Sequence, residues 1–73
     1  MDEIIENQIL EFVQNRHKKQ ESTGSRHIHI RFDIEILQAE KILETLTLLN
    51  KISKYYDKDY QEDRYIPKLH VKV

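Results

Sequence analysis

The 73-residue chain has no cysteine, a single glycine and a single proline. Without cysteine there is no disulfide framework, thiolate nucleophile or cysteine zinc site, and the composition fits a cytoplasmic protein. The lone glycine, Gly24, excludes a glycine-rich phosphate cradle. Long apolar runs are also missing. The N-terminal stretch MDEIIENQILEF is acidic and reads as neither a signal peptide nor a membrane span, so no membrane partner is expected.

What is present points to one small folded domain over residues 1–73. Charged residues make up 34% of the chain, yet isoleucine, leucine and valine recur in periodic blocks, which a disordered tail would not need. A domain this short holds only a few kcal/mol of net stability, and self-association would help it. The formal net charge of −1 conceals an asymmetry. Arg16, Lys18, Lys19, Arg26 and Arg31 stand against one acid, Glu21, in a stretch that also holds His17, His27 and His29. The rest of the chain is acidic. A basic segment on an acidic chain implies an anionic partner at one place.

Ile5, Ile9, Phe12 and Val13 share one stripe of a helix predicted from about residue 3 to about residue 18. Asp2 is placed to cap it, Glu3 and Glu6 suit its positive end, and Arg16 to Lys19 suit its last turn. ESTGS, residues 21–25, reads as a loop. In SRHIHIRFD the alternation of Ile28, Ile30 and Phe32 predicts a strand from about Arg26 to Phe32. Asp33 is then the N-cap of a second helix with Glu35 in its first turn. Ala39, Ile42, Leu43, Leu46, Leu49 and Ile52 form the apolar stripe of that helix. Leu48 lies on the flank of its polar face and is a candidate dimer contact. Lys54 to Tyr56, the polar turn DKDYQED and an alternation at Leu69, Val71 and Val73 predict a terminal hairpin, with Pro67 at an edge or strand start. The expected class is therefore α+β, in the order helix, strand, helix, hairpin, with a small antiparallel sheet.

A strand would place His27, His29 and Arg31 together on the face away from the core, a positive ribbon able to reach phosphates or base edges. The plain reading of the same pattern is a solvated sheet face, and of Arg16 to Lys19 a helix terminus. Tyr55, Tyr56, Tyr60 and Tyr65 are interspersed with Lys51, Lys54, Lys58 and Arg64 in a manner that suits base stacking, although Asp57, Asp59, Glu62 and Asp63 among them favour a structural role. A metal held by His27 and His29 with His17 or His70 lacks any spacing motif and would sit in a basic segment. Asp33 and Glu35 read as helix-start charges and not as an acid/base pair. Neither an enzyme nor a cofactor is expected.

ILETLTLLNKISKYYDKDYQEDRYIPKLHVKV resembles the end of a winged-helix DNA-binding domain, a helix ending in a leucine pair followed by a two-stranded wing with a polar tip. HIHIRFDIEILQAEKIL resembles, more weakly, the opening of a ribbon-helix-helix repressor. That second resemblance implies outward-reading roles for His27, His29 and Arg31. The leading expectation is a small, dimeric, DNA-binding regulatory protein whose cations Arg16, Lys18, Lys19, Arg26 and Arg31, with His27 and His29, contact the nucleic acid, expected to be duplex DNA. The alternative is a protein-interaction module, an inhibitor or adaptor, acting through a sheet edge or the Leu48 flank.

Overall fold

The computed structural model describes residues 3–68. Its elements are α1 (Glu3–Lys18), α2 (Ser25–Phe32), α3 (Ile36–Leu48), β1 (Ile52–Asp57) and β2 (Glu62–Pro67). This is a small α+β domain, three helices followed by a two-stranded antiparallel sheet. The α1 boundaries match the sequence pattern. The Asp2 cap, the alternation of Leu69, Val71 and Val73, and His70 lie outside the described residues.

The core draws one face from each element. Ile9 and Val13 of α1, Ile28 of α2, Ala39, Ile42, Leu43 and Leu46 of α3, Ile52 of β1 and Tyr65 of β2 are buried together. Ile5, Leu10, Phe12, Phe32 and Ile34 pack around them. Phe12 and Phe32 meet edge to face at 5.7 Å, joining α1 to α2.

The strand expected over 26–32 is a helix. Alternating apolar residues at 28, 30 and 32 contain an i, i+4 pair, so the same letters satisfy a helical stripe. Ile28 and Phe32 point inward and pack beside α3, while Ile30 turns to solvent at 77% exposure. Helix geometry also breaks the basic row, because His27 and Arg31 share one side and His29 takes another. The ribbon face implied by the ribbon-helix-helix resemblance therefore does not form.

Asp33 does not begin a helix but ends one, with φ 56° and ψ 49° at the C-cap of α2. Glu35 takes the N-cap position of α3. The second helix is correspondingly shorter than its apolar stripe, since Leu49 is the C-cap and half exposed, and Ile52 reaches the core from β1. With glycine confined to position 24, the left-handed positions go to other residues: Gln20 (φ 64°), Asp33, Asn50 (φ 60°) and Gln61 (φ 54°). After α1, Glu21 N–H donates to Arg16 O at 2.9 Å, and after α3 Lys51 N–H donates to Leu46 O at 3.0 Å, the bonds that close a helix through a left-handed residue.

Two antiparallel faces follow from the hairpin register, in which Ile52 pairs with Pro67 and Tyr55 with Arg64. Ile52 and Tyr65 face the core; Tyr55, Asp57, Arg64 and Ile66 face the other way. Beside β2, Thr23 forms an isolated bridge with Tyr65.

Two substitution pairs test this fold in urea denaturation. Ile28→Ala should cost about 2–5 kcal/mol, whereas Ile30→Ala should cost under about 0.5 kcal/mol; equal costs would restore the strand. Gln20→Gly should stabilise the domain by up to about 1 kcal/mol, because only glycine enters the left-handed region without a Cβ penalty.

Candidate functional site

An open cleft of about 660 Å³ lies between the C-terminal end of α1, the start of α2 and the outward face of the hairpin. Arg16, His17, His27, Arg64, Tyr55 and Tyr60 supply most of its chemistry. Its floor is built around the Ser22 carbonyl. Arg16 donates to that oxygen from Nε at 3.1 Å and from Nη2 at 2.8 Å. From the hairpin side, Arg64 Nη1 donates to Ser22 Oγ at 2.9 Å and lies 3.4 Å from the same carbonyl.

Arg64 is only 6% exposed, so its charge needs partners. Nε donates to Glu62 Oε2 at 2.8 Å, and the guanidinium carbon sits 3.8 Å over the Tyr60 ring. Glu62 also accepts from Arg26 Nη2 at 3.0 Å. One carboxylate thus serves two arginines, and the Arg26 bond, followed by Arg64, holds its carboxyl below the ordinary range. Gly24 lets this pair approach the backbone closely, since a Cβ there would stand 2.7 Å from Glu62 Oε2 and 3.3 Å from Arg64 Nε and would make the two side chains shift.

His27 occupies the third position of α2 and accepts the Gly24 N–H at Nδ1, 2.9 Å away. That is the side-chain-to-backbone half of a capping box, with imidazole in place of a carboxylate. A lone pair at Nδ1 puts the proton of the neutral ring on Nε2. Nε2 lies 3.3 Å from Arg16 Nη2, so with this tautomer two N–H groups stand side by side, while Nη2 also donates to the Ser22 carbonyl. Burial pushes the imidazole below its ordinary value, and the charges of Arg16 and Arg64 push it further in the same direction. The floor of the cleft is therefore a positive place.

Two carboxylates line the rim. Asp57 Oδ1 is engaged by the backbone N–H groups of Asp59 and Tyr60 at 2.9 and 3.3 Å, which fixes the hairpin turn. Glu21 is half exposed and 3.7 Å from Arg16 Nη1.

The expected contact residues are dispersed. Arg16 and His27 enter the cleft, and Lys18 and Lys19 are exposed at the end of α1 next to it. Arg26 is tied to Glu62 near the start of α2. Arg31 is exposed over the Phe32 ring on another side, 5.3 Å from its centroid. His29 contacts the Ile34 carbonyl through Nδ1 and ties the α2–α3 turn. Among the described residues no three His, Cys, Asp or Glu side chains converge to hold a metal ion. Leu48 stands on α3, away from the cleft, at 77% exposure. Arg64 and Ser22, which complete the floor, were not among the expected site residues. Their signal was weak, because 42 positions separate them and only the hairpin register brings them together.

Comparison with protein-family models, with curated proteins and with solved structures finds no match for this chain. No described helix is long and apolar enough to cross a membrane.

The lowered imidazole predicts an acid-sensitive fold. The unfolded chain, with His27 near its ordinary value of about 6.5, binds more protons than the folded one, so stability should fall as pH drops below about 6.5. Urea midpoints should decline between pH 7 and pH 5.5 in the native protein and decline less in His27→Gln. Loss from Glu62 belongs to a lower window, below about pH 4.5, where unfolded carboxylates take up protons.

Proposed function

We propose that this chain is a small nucleic-acid-binding regulatory protein on a winged-helix-like scaffold, and that its contact site is the cationic, tyrosine-lined cleft. The observation that carries the reading is the convergence of Arg16, Arg64 and His27 Nε2 at one floor, with Tyr55 and Tyr60 also lining the cleft. A phosphate oxygen would accept from the two N–H groups that stand side by side. The phenol rings offer a stacking surface for a base.

The order α1, Thr23 bridge, α2, α3 and hairpin supports the winged-helix resemblance, with α2 in the positioning place and residues 58–61 at the wing tip. In that resemblance α3 would read the major groove. Its charges argue against such a role here. Glu40 and Glu44 outnumber Lys41 on α3, and in the groove that separates α3 from the hairpin Glu40, Glu44, Glu62 and Asp63 outnumber Arg26 and Lys54. A duplex laid on that side would meet net negative charge. The positive floor lies on the other face of the hairpin, where the open cleft suits an unpaired nucleotide better than a paired helix.

The protein-interaction alternative is favoured at one place, the solvent face of α3, whose exposed leucines have no use in nucleic-acid binding.

Fluorescence anisotropy with labelled single-stranded and duplex oligonucleotides, titrated across salt, tests the proposal. Single strands should bind more tightly, with affinity falling as salt rises. Tyr55→Ala should weaken binding about tenfold with little change in salt slope, by removing a stacking ring. Lys18→Ala with Lys19→Ala should reduce the slope by about 1 to 2. Absence of binding at low salt to either form would overturn the reading.

A further inference from the structure

The solvent face of α3 is self-complementary. Stepping about 100° per residue around the helix, Leu37, Lys41, Glu44 and Leu48 fall on one stripe, opposite the buried Ala39, Ile42, Leu43 and Leu46. Leu37 is 72% exposed and Leu48 77%. Lys41 and Glu44 are exposed as well, and neither enters an ion pair within the chain among the described residues. Along the stripe the order is apolar, cation, anion, apolar. A two-fold axis between Ile42 and Leu43 exchanges position 37 with 48 and position 41 with 44.

We propose that the occupant of this face is a second copy of the chain, with the two α3 helices packed antiparallel about that axis. Leu37 then meets the partner subunit's Leu48, and Lys41 meets the partner subunit's Glu44, each contact occurring twice in one isologous interface. A parallel arrangement would set lysine against lysine and glutamate against glutamate, so charge selects the direction. The stripe carries one charge of each sign. That balance suits self-recognition and gives no attraction for a strongly charged foreign partner.

Ile36 and Leu49 lie about 100° around the helix from their neighbours Leu37 and Leu48 and stay outside the contact. A contact made by one helix per subunit belongs to the small class of interfaces, below about 1,200 Å² in total, and the dimer is correspondingly weak. The cleft lies on the hairpin face turned away from α3, so this inference does not rest on the proposed nucleic-acid binding, and dimerisation leaves both clefts open.

Sedimentation velocity between about 10 µM and about 1 mM, concentrations that bracket a dissociation constant in the same range, tests the interface. The native protein should shift from monomer to dimer across that range. Lys41→Glu and Glu44→Lys should each raise the dissociation constant at least about tenfold by creating like-charge contacts. The double variant Lys41→Glu, Glu44→Lys exchanges the charges and should return to within about threefold of native. Circular dichroism checks that each variant keeps its helices, as expected for exposed positions, and Leu48→Gln provides an independent monomerising change. A native protein that stays monomeric at about 1 mM overturns the proposal. So does a dimer indifferent to either single change, or one that the double variant fails to restore.

Discussion

Two backbone hydrogen bonds tie the α1–α2 link to the hairpin: Thr23 N–H donates to Tyr65 O at 3.0 Å, and Tyr65 N–H donates to Thr23 O at 2.8 Å. They fasten the link between α1 and α2 to the outer edge of β2, 42 positions further along the chain. Without them the first turn of α2 would have no fixed place against the hairpin. With them, the residues on either side of Thr23 acquire their roles. Ser22 presents its carbonyl to Arg16 and Arg64, and Gly24 offers its N–H to His27 at the start of α2. Thr23 itself is fully buried, and its hydroxyl has no hydrogen-bond partner among the described residues. Tertiary packing holds this residue in a place where its side chain alone would not go.

The same bridge decides where the positive charge goes. Cations that sit close in sequence are separated by the helix turn and by the hairpin, and Arg26 and Arg64 share the single carboxylate of Glu62. Arg16, half-buried, spends its strongest bonds on a backbone carbonyl and not on an acid. The result is a cleft floor with more donors than acceptors, on the face of the sheet opposite the acidic side of α3. The two faces therefore differ in chemistry: the proposed nucleic-acid site lies on the cationic one, and the proposed self-contact on the one with the leucine and charge stripe.

Small size bears on both faces. With 73 residues and one glycine, the chain accepts left-handed backbone at Gln20, Asp33, Asn50 and Gln61, each a local cost, in order to turn sharply between short elements. Tight turns allow α2 to be only eight residues long and still pack Ile28 against α3. A domain with so small a core gains from any interface that covers exposed Leu37 and Leu48.

Periodicity determined the span of α1 and the buried stripe of α3 from Ala39 to Leu46, because there only one repeat suits the apolar residues. The α+β class holds through the hairpin, whose second strand is Glu62–Pro67, whereas the alternation at Leu69, Val71 and Val73 from which it was expected lies outside the described residues. At Ile28, Ile30 and Phe32 both repeats fit, and packing beside α3 chose the helix. That choice dissolved the row of His27, His29 and Arg31 and turned Asp33 from a helix start into a helix end. Composition showed that the segment from Arg16 to Arg31 was basic and that Arg64 stands among the hairpin tyrosines; that the two would meet at Ser22 was not legible, since a pairing across 42 positions exists only once the hairpin register and the Thr23 bridge are in place. Local spacing is written in neighbouring residues, whereas the meeting of distant charges depends on how the helices and the sheet close on a common core.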